Sequence, residues 1–193
     1  MNYDNKTKIM QRAFELIRDG IKNRSSMFHT LTMSTIHKKE IYSRVMVLRD
    51  FNASQRFLRF NSDYRSEKVQ AIKDNPITSV IGYDPQSKTQ IRMVGTSKVN
   101  YKNKESDKAW KESQAISKKC YSVKGGSSYA IDNPESYDFH IKDVNLEDGY
   151  KNFSTIAFTF SSLEFLYLQR SGHRRCKFEW DKKGKIKSYW LVP

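Results

Sequence analysis

The spacing of apolar residues changes from a helical to a strand period within the first thirty residues. Near the N-terminus, five apolar residues recur at steps of three and four: Ile9, Ala13, Phe14, Ile17 and Ile21. This spacing predicts an amphipathic helix over about residues 6–20, ending near Gly20. From Phe28 to about Val99 the chain instead carries five short runs separated by polar turns: MFHTLTMSTI, EIYSRVMVLRDF, QRFLRFNS, ITSVIGY and TQIRMVGTSKV. These runs predict five strands, and their close spacing favours an antiparallel meander or barrel.

Two more helices and a loop are predicted between residues 62 and 138. The first helix follows Ser62 and Asp63, which offer N-caps, and it ends before Pro76. The second covers about residues 106–119, where one face carries Ala109, Ser113, Ile116 and Cys120. Residues 122–138 combine Gly, Ser and Pro, a composition that is typical of a loop such as a lid over a site.

The C-terminal third returns to a strand period. Alternating apolar positions predict strands at residues 153–160, 164–169, 174–180 and 186–192. The sequence contains no internal repeat, long linker or low-complexity block. We therefore expect a single domain over residues 1–193, mainly β with a few helices (α+β), built as a closed or partly closed antiparallel barrel.

The composition supports a folded core and argues against a membrane span. Hydrophobic residues make up 37% of the 193 residues, and a chain of this length hides about 70% of its unfolded surface on folding. No apolar run approaches the roughly 18–20 residues that a membrane helix needs. The N-terminal residues lack an apolar signal core, and the two cysteines, Cys120 and Cys176, set no disulfide framework. We expect a cytoplasmic protein with two reduced thiols.

The net positive charge favours anionic binding partners but does not identify which kind. Lys and Arg number 35 and Asp and Glu 21, which gives a net charge of +14 and an isoelectric point near 9.7. Nucleic acid, anionic lipid and phosphorylated small molecules would all be attracted. A compositional bias that scatters lysines over a solvated surface explains the charge equally well.

Two clusters of basic residues interrupt this general pattern. At residues 61–68 a helix begins beside Arg65, Ser66 and Lys68, so free N–H groups and positive charge converge in a way that suits a phosphate. The alternative is an ordinary capped helix with solvated bases. At residues 173–177, period two places His173, Arg175 and Lys177 on one strand face, which suits an anion or an electron-rich heterocycle. The alternative there is an edge strand kept basic against aggregation.

A third feature is the strand at residues 44–49, which embeds Arg44 and Arg49 in an otherwise apolar run. A charge on a buried strand requires a partner. That partner is either an anionic ligand or a carboxylate such as Asp50 or Asp63.

Several other chemistries lack the residues that they need. The four histidines and two cysteines show no spacing typical of zinc ligands, so we expect no metal site. The nucleophile elbow G-x-S-x-G, the Walker loop and the dinucleotide turn G-x-G-x-x-G are all missing. Single-stranded nucleic acid bound on a barrel is a less favoured rival, because the aromatic residues alternate inward instead of clustering with the bases.

Taken in order, four motifs resemble the pyridoxamine 5′-phosphate oxidase family. They are R-V-M-V-L-R at 44–49, D-Y-R-S-E-K at 63–68, T-Q-I-R-M-V-G at 89–95 and G-H-R-R-C-K-F at 172–178, followed by a closing W-L-V-P. The resemblance runs from about residue 28 to the end. Its motifs include the two clusters of basic residues and the strand at residues 44–49. It is closer to the related FMN-binding branch than to the authentic vitamin-B6 oxidases.

The resemblance implies a split β-barrel of Greek-key type that forms a homodimer, with two FMN molecules at the subunit interface. It implies that Arg44, Val45, Met46, Val47 and Arg49 run along the flavin. Arg44 and Arg49 would lie near the phosphate and the substrate side. It also implies phosphate contacts from Arg65, Ser66 and Lys68, and flavin contacts from Gln90, Tyr167 and Lys177.

The substrate side departs from the family pattern. The oxidases carry an Arg-x-His pair for the pyridoxal substrate, whereas the matching positions here are His173 and Arg175, with the two residue types exchanged. These two residues are the catalytic candidates, and Lys118, Lys119 and Tyr121 are stand-ins for the family's substrate-phosphate residues. The resemblance therefore implies an FMN-dependent oxidoreductase acting on a small anionic or phosphorylated substrate. The alternatives are an FMN or other cofactor carrier without turnover, or a nucleic-acid-binding barrel.

Overall fold

The computed structural model describes residues 3–123, 125–137 and 145–193. The strands are β1 (Thr30–His37), β2 (Glu40–Asn52), β3 (Phe57–Asp63), β4 (Ile77–Asp84), β5 (Thr89–Asn100), β6 (Phe153–Tyr167), β7 (Arg174–Trp180) and β8 (Ile186–Leu191). The helices are α1 (Lys6–Lys22), α2 (Glu67–Asp74), α3 (Lys104–Glu112) and α4 (Ala115–Lys119). Two 3-10 helices, Pro134–Tyr137 and Leu146–Asn152, lie between α4 and β6.

All strand pairs are antiparallel, and the first six strands close into a barrel. The strand order is β3-β2-β1-β4-β5-β6-β7-β8, and β3 also pairs with β6. The chain passes from β3 through α2 and returns to place β4 beside β1, which is a Greek-key arrangement. Strands β7 and β8 extend the sheet beyond β6. The predicted antiparallel barrel with a few helices is confirmed.

The barrel is filled by alternate side chains from each strand and by one face of α1. Six phenylalanines of this core are almost wholly buried: Phe28, Phe60, Phe158, Phe160, Phe165 and Phe178. Burying each such side chain contributes roughly 1.5–3 kcal/mol. From α1, Ile9, Ala13 and Ile17 join the same core, so the amphipathic stripe predicted for the N-terminal helix is its core-facing surface.

Three predicted boundaries differ from the structure. Helix α1 continues past Gly20, because this glycine serves a close approach: a Cβ there would lie 2.4 Å from the carbonyl oxygen of Phe28. Helix α2 has Ser66 as its N-cap instead of Ser62 or Asp63, since those two residues still pair with β6. The helix predicted at 106–119 is divided into α3 and α4, with Ser113 extended between them.

From residue 153 onward the chain forms three strands instead of the four that were predicted. The strands predicted at 153–160 and 164–169 are one strand, β6, which is continuous past a register shift opposite Val94 and Gly95. In the predicted loop, Lys124 and Asp138 lie outside the described residues. None of the helices in the described part of the chain is long and apolar enough to cross a membrane.

Candidate functional site

The candidate site lies at a gap in the barrel wall between β2 and β3. These strands pair only from Leu48 onward, opposite Phe60. Beyond that point, residues 44–47 of β2 pair with β1 alone, and residues 61–63 of β3 pair with β6 alone. The backbone of β2 therefore has a free edge here, with no strand partner among the described residues.

A cavity of about 470 Å³ occupies this gap, a size within the range of about 300–1,000 Å³ that is usual for cofactor sites. One wall contains Met46 of β2, residues 61–63 of β3 and Lys68 of α2. Two of the residues predicted to contact the cofactor, Met46 and Lys68, thus line the same cavity.

Two partly buried cations lie close together at this end of the barrel. The Arg44 guanidinium donates hydrogen bonds to the backbone oxygen of Met33 (3.3 Å) and to Oγ1 of Thr35 (2.8 Å). Burial lowers the pKa of Lys68, and the positive charge of Arg44 lowers it further. Burial likewise lowers the pKa of Arg44. Since Lys68 makes no hydrogen bond to a described residue, an anion placed here would relieve both cations.

The start of α2 reinforces this preference for an anion. The Ser66 hydroxyl does not cap the helix, because it donates to the backbone oxygen of Asp63 at 2.7 Å. The N–H groups of the first turn thus lack the side-chain acceptor that usually satisfies one of them. The predicted phosphate residues do not all line the cavity: Lys68 does, whereas the Ser66 side chain is buried and turned away.

Arg65 holds the loop that forms the opposite wall. Its guanidinium binds the Asp63 carboxylate through Nε (3.0 Å) and Nη2 (2.6 Å), and Nη1 donates to the backbone oxygen of Val123 at 3.1 Å. Gly126 packs directly against Arg65. Arg65 therefore connects the start of α2 to the loop.

The sequence predicts this loop only as a lid, and Tyr121, predicted as a stand-in for a substrate-phosphate residue, is the one residue of this wall among the predicted site residues. The second wall consists of Cys120, Tyr121, Val123, Gly125, Gly126, Ser127, Ser128, Tyr129 and Ile131. Burial raises the pKa of Tyr121, so its hydroxyl remains a donor. The Gly-Gly-Ser-Ser run was the available signal, because it offers small residues and hydroxyls near a phosphate.

A second, positively lined cleft lies between the outer face of β2 and β3 and the helices α3 and α4. It comprises adjoining cavities of about 320 and 590 Å³ that share Arg49 and Arg59. Arg59 pairs with Glu112 at 3.1 Å, whereas Arg49 makes no hydrogen bond or ion pair with any described residue. Asn61 borders both this cleft and the cavity of Lys68. The cleft can accept an anionic group close to the first cavity.

The remaining predicted residues gather on the outer face of β5, β6 and β7. Gln90 pairs with Leu166, and Leu166 pairs with Arg175, so these three side chains form one row. Lys177 lies on the same face and binds Glu179 at 2.6 Å. Val45 and Val47 are also on the outer face, but on β2, with β1 and β4 between them and β5.

Tyr167 and His173 are placed differently from the other residues of this group. Tyr167 faces inward and stacks on Tyr3 with the ring centres 4.2 Å apart, so Leu166 is the side chain on the outer face. His173 precedes β7, and its Nδ1 accepts a hydrogen bond from the backbone N–H of Gln169 at 3.2 Å. His173 and Arg175 nevertheless line one depression of about 360 Å³.

The predicted site residues therefore form two separate groups within one chain. The cavity of Lys68 is lined by none of Gln90, Arg175 or Lys177. Along the sheet, three strand spacings separate β2 from β5, which is about 14 Å at roughly 4.8 Å per spacing. In the described ranges, no cluster of His, Cys, Asp and Glu is arranged to hold a metal ion.

Comparison with known proteins agrees with this architecture. Residues 11–101 match the family model of the pyridoxamine 5′-phosphate oxidase FMN-binding domain. The resemblance to this family that the sequence motifs predict is thereby confirmed. A comparison with curated proteins finds no match.

Solved structures share the fold at low sequence identity. A pyridoxamine 5′-phosphate oxidase-related, FMN-binding protein from Nostoc punctiforme is 18% identical with a TM-score of 0.77, covering 95% of this chain and 96% of that one. PhzG from Burkholderia lata, solved with tetrahydrophenazine-1-carboxylic acid, is 17% identical with a TM-score of 0.75, covering 99% and 96%. General stress protein 26 from Bacillus anthracis is 16% identical with a TM-score of 0.52, covering 80% and 93%.

The contacts of Arg65 predict that Asp63→Asn loosens the loop. Tyr129 is 72% exposed, so chymotrypsin should cleave after it whenever the loop opens. Losing a charge-assisted contact worth about 1 kcal/mol should raise the open population about fivefold. Mass spectrometry of the early digest should show faster cleavage after Tyr129 in this variant. Asp74→Asn, at the far end of α2, is the control, and equal cleavage rates in all three proteins would contradict the role given to Arg65.

Proposed function

We propose that this protein binds FMN non-covalently and acts as a flavin-dependent oxidoreductase on a small anionic substrate. The observation that carries the proposal is the Lys68 ammonium, which lies beside Arg44 in a cavity at the free edge of β2 and has no hydrogen-bond partner among the described residues. A phosphate dianion would satisfy Lys68, Arg44 and the uncapped N–H groups of α2 together.

The residues present fit both the phosphate and the ring system of FMN. Lys68 and Arg44 would hold the phosphate, and Ser127 and Ser128 offer hydroxyls from the opposite wall. The free backbone of residues 44–47 offers N–H and C=O groups that can pair with the polar edge of a flavin ring. FMN, when bound, supplies a hydride acceptor.

The remaining residues would handle the substrate and the charge that develops during the reaction. The cleft at Arg49 would hold the anionic group of a substrate, since Arg49 has no partner among the described residues. Arg175 and Lys177 would place positive charge beside the flavin. PhzG, which shares the fold, was solved with an aromatic carboxylic acid, and this is the class of substrate that a basic cleft beside a flavin could accept.

We also propose that the working unit is a homodimer in which each flavin contacts both subunits. The cavity of Lys68 contains none of Gln90, Arg175 and Lys177, and three strand spacings separate β2 from β5, so a second copy would supply the Gln90–Arg175 row to a flavin held at Lys68. The outer face of the barrel suits such a contact. Val45 is 65% exposed there, and Ser34, Ser43 and Ser79 form a row of small residues that would let a second sheet approach closely.

The first test is a titration with FMN and with riboflavin, which lacks the phosphate. Wild-type protein should bind FMN at micromolar concentrations and turn yellow, and Lys68→Met should weaken FMN binding by about 1–3 kcal/mol while leaving riboflavin binding unchanged. A colourless protein with no FMN titration would remove the proposal.

The affinity for FMN in the same titration should decrease as the pH rises. The bound dianion favours charged Lys68, so FMN affinity should fall as pH rises through the lowered pKa of Lys68, before the usual lysine value of about 10.4. Riboflavin binding and the Lys68→Met variant should lack this fall. A decline confined to the usual lysine range would show that Lys68 is not desolvated.

The second test is the mass in solution. Light scattering of the FMN-bound protein should give twice the chain mass of 22.7 kDa. Val94→Arg, on the outer face of β5, should shift the protein towards monomer and weaken FMN binding, because the contact area would then hold a large charge. Ile116→Arg, at an exposed apolar position on α4, should change neither property. A monomeric wild type with FMN bound would contradict the dimer.

The third test addresses the reaction. Anaerobic mixing with pyridoxamine 5′-phosphate, pyridoxine 5′-phosphate or NAD(P)H should bleach the flavin with at least one of them, and inertness to all three would favour a carrier. We expect pyridoxine 5′-phosphate oxidation to be absent or far below that of an authentic oxidase, because a misplacement of about 1 Å can cost about 100-fold in rate. Robust turnover, abolished by Arg175→Ala with FMN still bound, would show that the exchanged His173 and Arg175 are competent.

A further inference from the structure

Glu164 is the one Asp, Glu, Lys or Arg in the described part of the chain that is buried, with 5% of its surface exposed. It lies on the outer face of β6, between arginines from the two neighbouring strands. Its Oε2 accepts from Nη2 of Arg92 on β5 at 2.7 Å. Its Oε1 accepts a hydrogen bond from Nε of Arg175 on β7 at 2.8 Å, and Nη2 of the same guanidinium forms an ion pair with that oxygen at 2.7 Å.

Stability alone is a weak reason for this arrangement. Removing a carboxylate from water costs several kcal/mol, and buried ionic clusters are often no more stabilising than apolar side chains of similar volume. Burial would raise the pKa of Glu164, but the hydrogen bonds and charges of Arg175 and Arg92 outweigh it and hold the pKa below its ordinary value. The carboxylate therefore stays ionised and keeps both arginines bound to it.

The contact with Arg175 fixes the direction of that side chain. Nε donates to Oε1, and Nη2 on the same edge of the guanidinium lies 2.7 Å from that oxygen, so this edge of Arg175 is held towards Glu164. The remaining nitrogen, Nη1, makes no hydrogen bond to a described residue. Without Glu164, Arg175 would face the like charges of Arg92 and Lys177 on the same sheet surface and would turn towards solvent.

We propose that Glu164 is a positioning residue that aims the free Nη1 of Arg175 at the flavin. This inference rests on the proposed function, in which Arg175 lies beside FMN. In a purely structural role, Glu164 would make the same contacts and would act on the flavin only through its own negative charge. The two roles differ in the sign of one measurable quantity, the midpoint potential of bound FMN.

The decisive variant is Glu164→Gln in the FMN-loaded protein. Removing a negative charge near the flavin would by itself raise the potential, because reduction adds negative charge. If Arg175 instead turns away from the flavin, reduced FMN loses a hydrogen-bond donor and its midpoint potential falls. We expect the fall: a roughly tenfold loss in preference for reduced FMN, which for a two-electron couple is about 30 mV. Arg175→Gln should give a similar fall, and the double variant should fall no further than Arg175→Gln alone.

Two further variants separate positioning from folding. Arg92→Lys keeps the charge and leaves the Glu164–Arg175 contact in place, so it should lower the melting temperature without moving the potential. Glu164→Asp keeps the charge but is one methylene shorter, so it should recover part of the potential and serves if Glu164→Gln does not fold. A raised potential in Glu164→Gln, or effects of Glu164→Gln and Arg175→Gln that add, would overturn the proposal.

The pairing itself can be tested without FMN. In ¹⁵N-labelled protein, the Nε–H signal of Arg175 should be protected from exchange with water and should lose that protection in Glu164→Gln. A signal that exchanges equally in both proteins would refute the positioning role, whether or not FMN binds. A wild type that shows the protected signal but binds no FMN would instead overturn the proposed function.

Discussion

The pairing of β3 with β6 is the constraint on which the rest of the structure depends. Seven consecutive residue pairs, from Phe57 with Thr159 to Asp63 with Phe153, close the barrel. The hydrogen bond from the backbone N–H of Tyr64 to the backbone oxygen of Asn152 continues this alignment towards α2. Residues 57–60 of β3 pair with β2 on one side and with β6 on the other, whereas residues 61–63 stay aligned with β6 and diverge from β2. Residues 44–47 of β2 therefore lack a neighbour on that side, and the gap, the cavity and the start of α2 lie where the two strands separate.

Elements with a local period could be predicted from the sequence, whereas features that depend on distant strands could not. The helical stripe of α1 and the strand alternation are properties of neighbouring residues, so both were predicted to within a few residues. Lys68 could be identified because a helix start and its charge are local. The burial of Glu164 could not, since Arg92 and Arg175 reach it from strands that are 72 and 11 residues away along the chain.

The placement of Tyr167 shows a different limit. A motif position pointed to Tyr167 as a flavin contact, but strand alternation with buried Phe165 directs it inward, where it packs on Tyr3. Leu166 then takes the outer position between Gln90 and Arg175. Similarly, β7 begins at Arg174, so alternation along this strand applies to Arg175 and Lys177 but not to His173. Where a gap in the motif leaves the alignment uncertain by one residue, strand alternation predicts the direction of a side chain better than the motif does.

Lys68 and Arg44 form one group of cations, and Arg175 and Lys177 form the other. The groups differ in their ion-pair partners, and this difference suits the ligand charges that each group would contact. Lys68 and Arg44 are partly buried without an ion-pair partner among the described residues, an arrangement that costs free energy unless a permanent anion such as a phosphate is bound. Arg175 and Lys177 are instead balanced by Glu164 and Glu179. A permanently unpaired cation beside the ring would favour anions in every state, whereas a paired and oriented one can stabilise negative charge that arises only during the reaction. In the proposed function, Lys68 and Arg44 would therefore hold a permanent charge, and Arg175 and Lys177 would respond to charge that appears on the flavin.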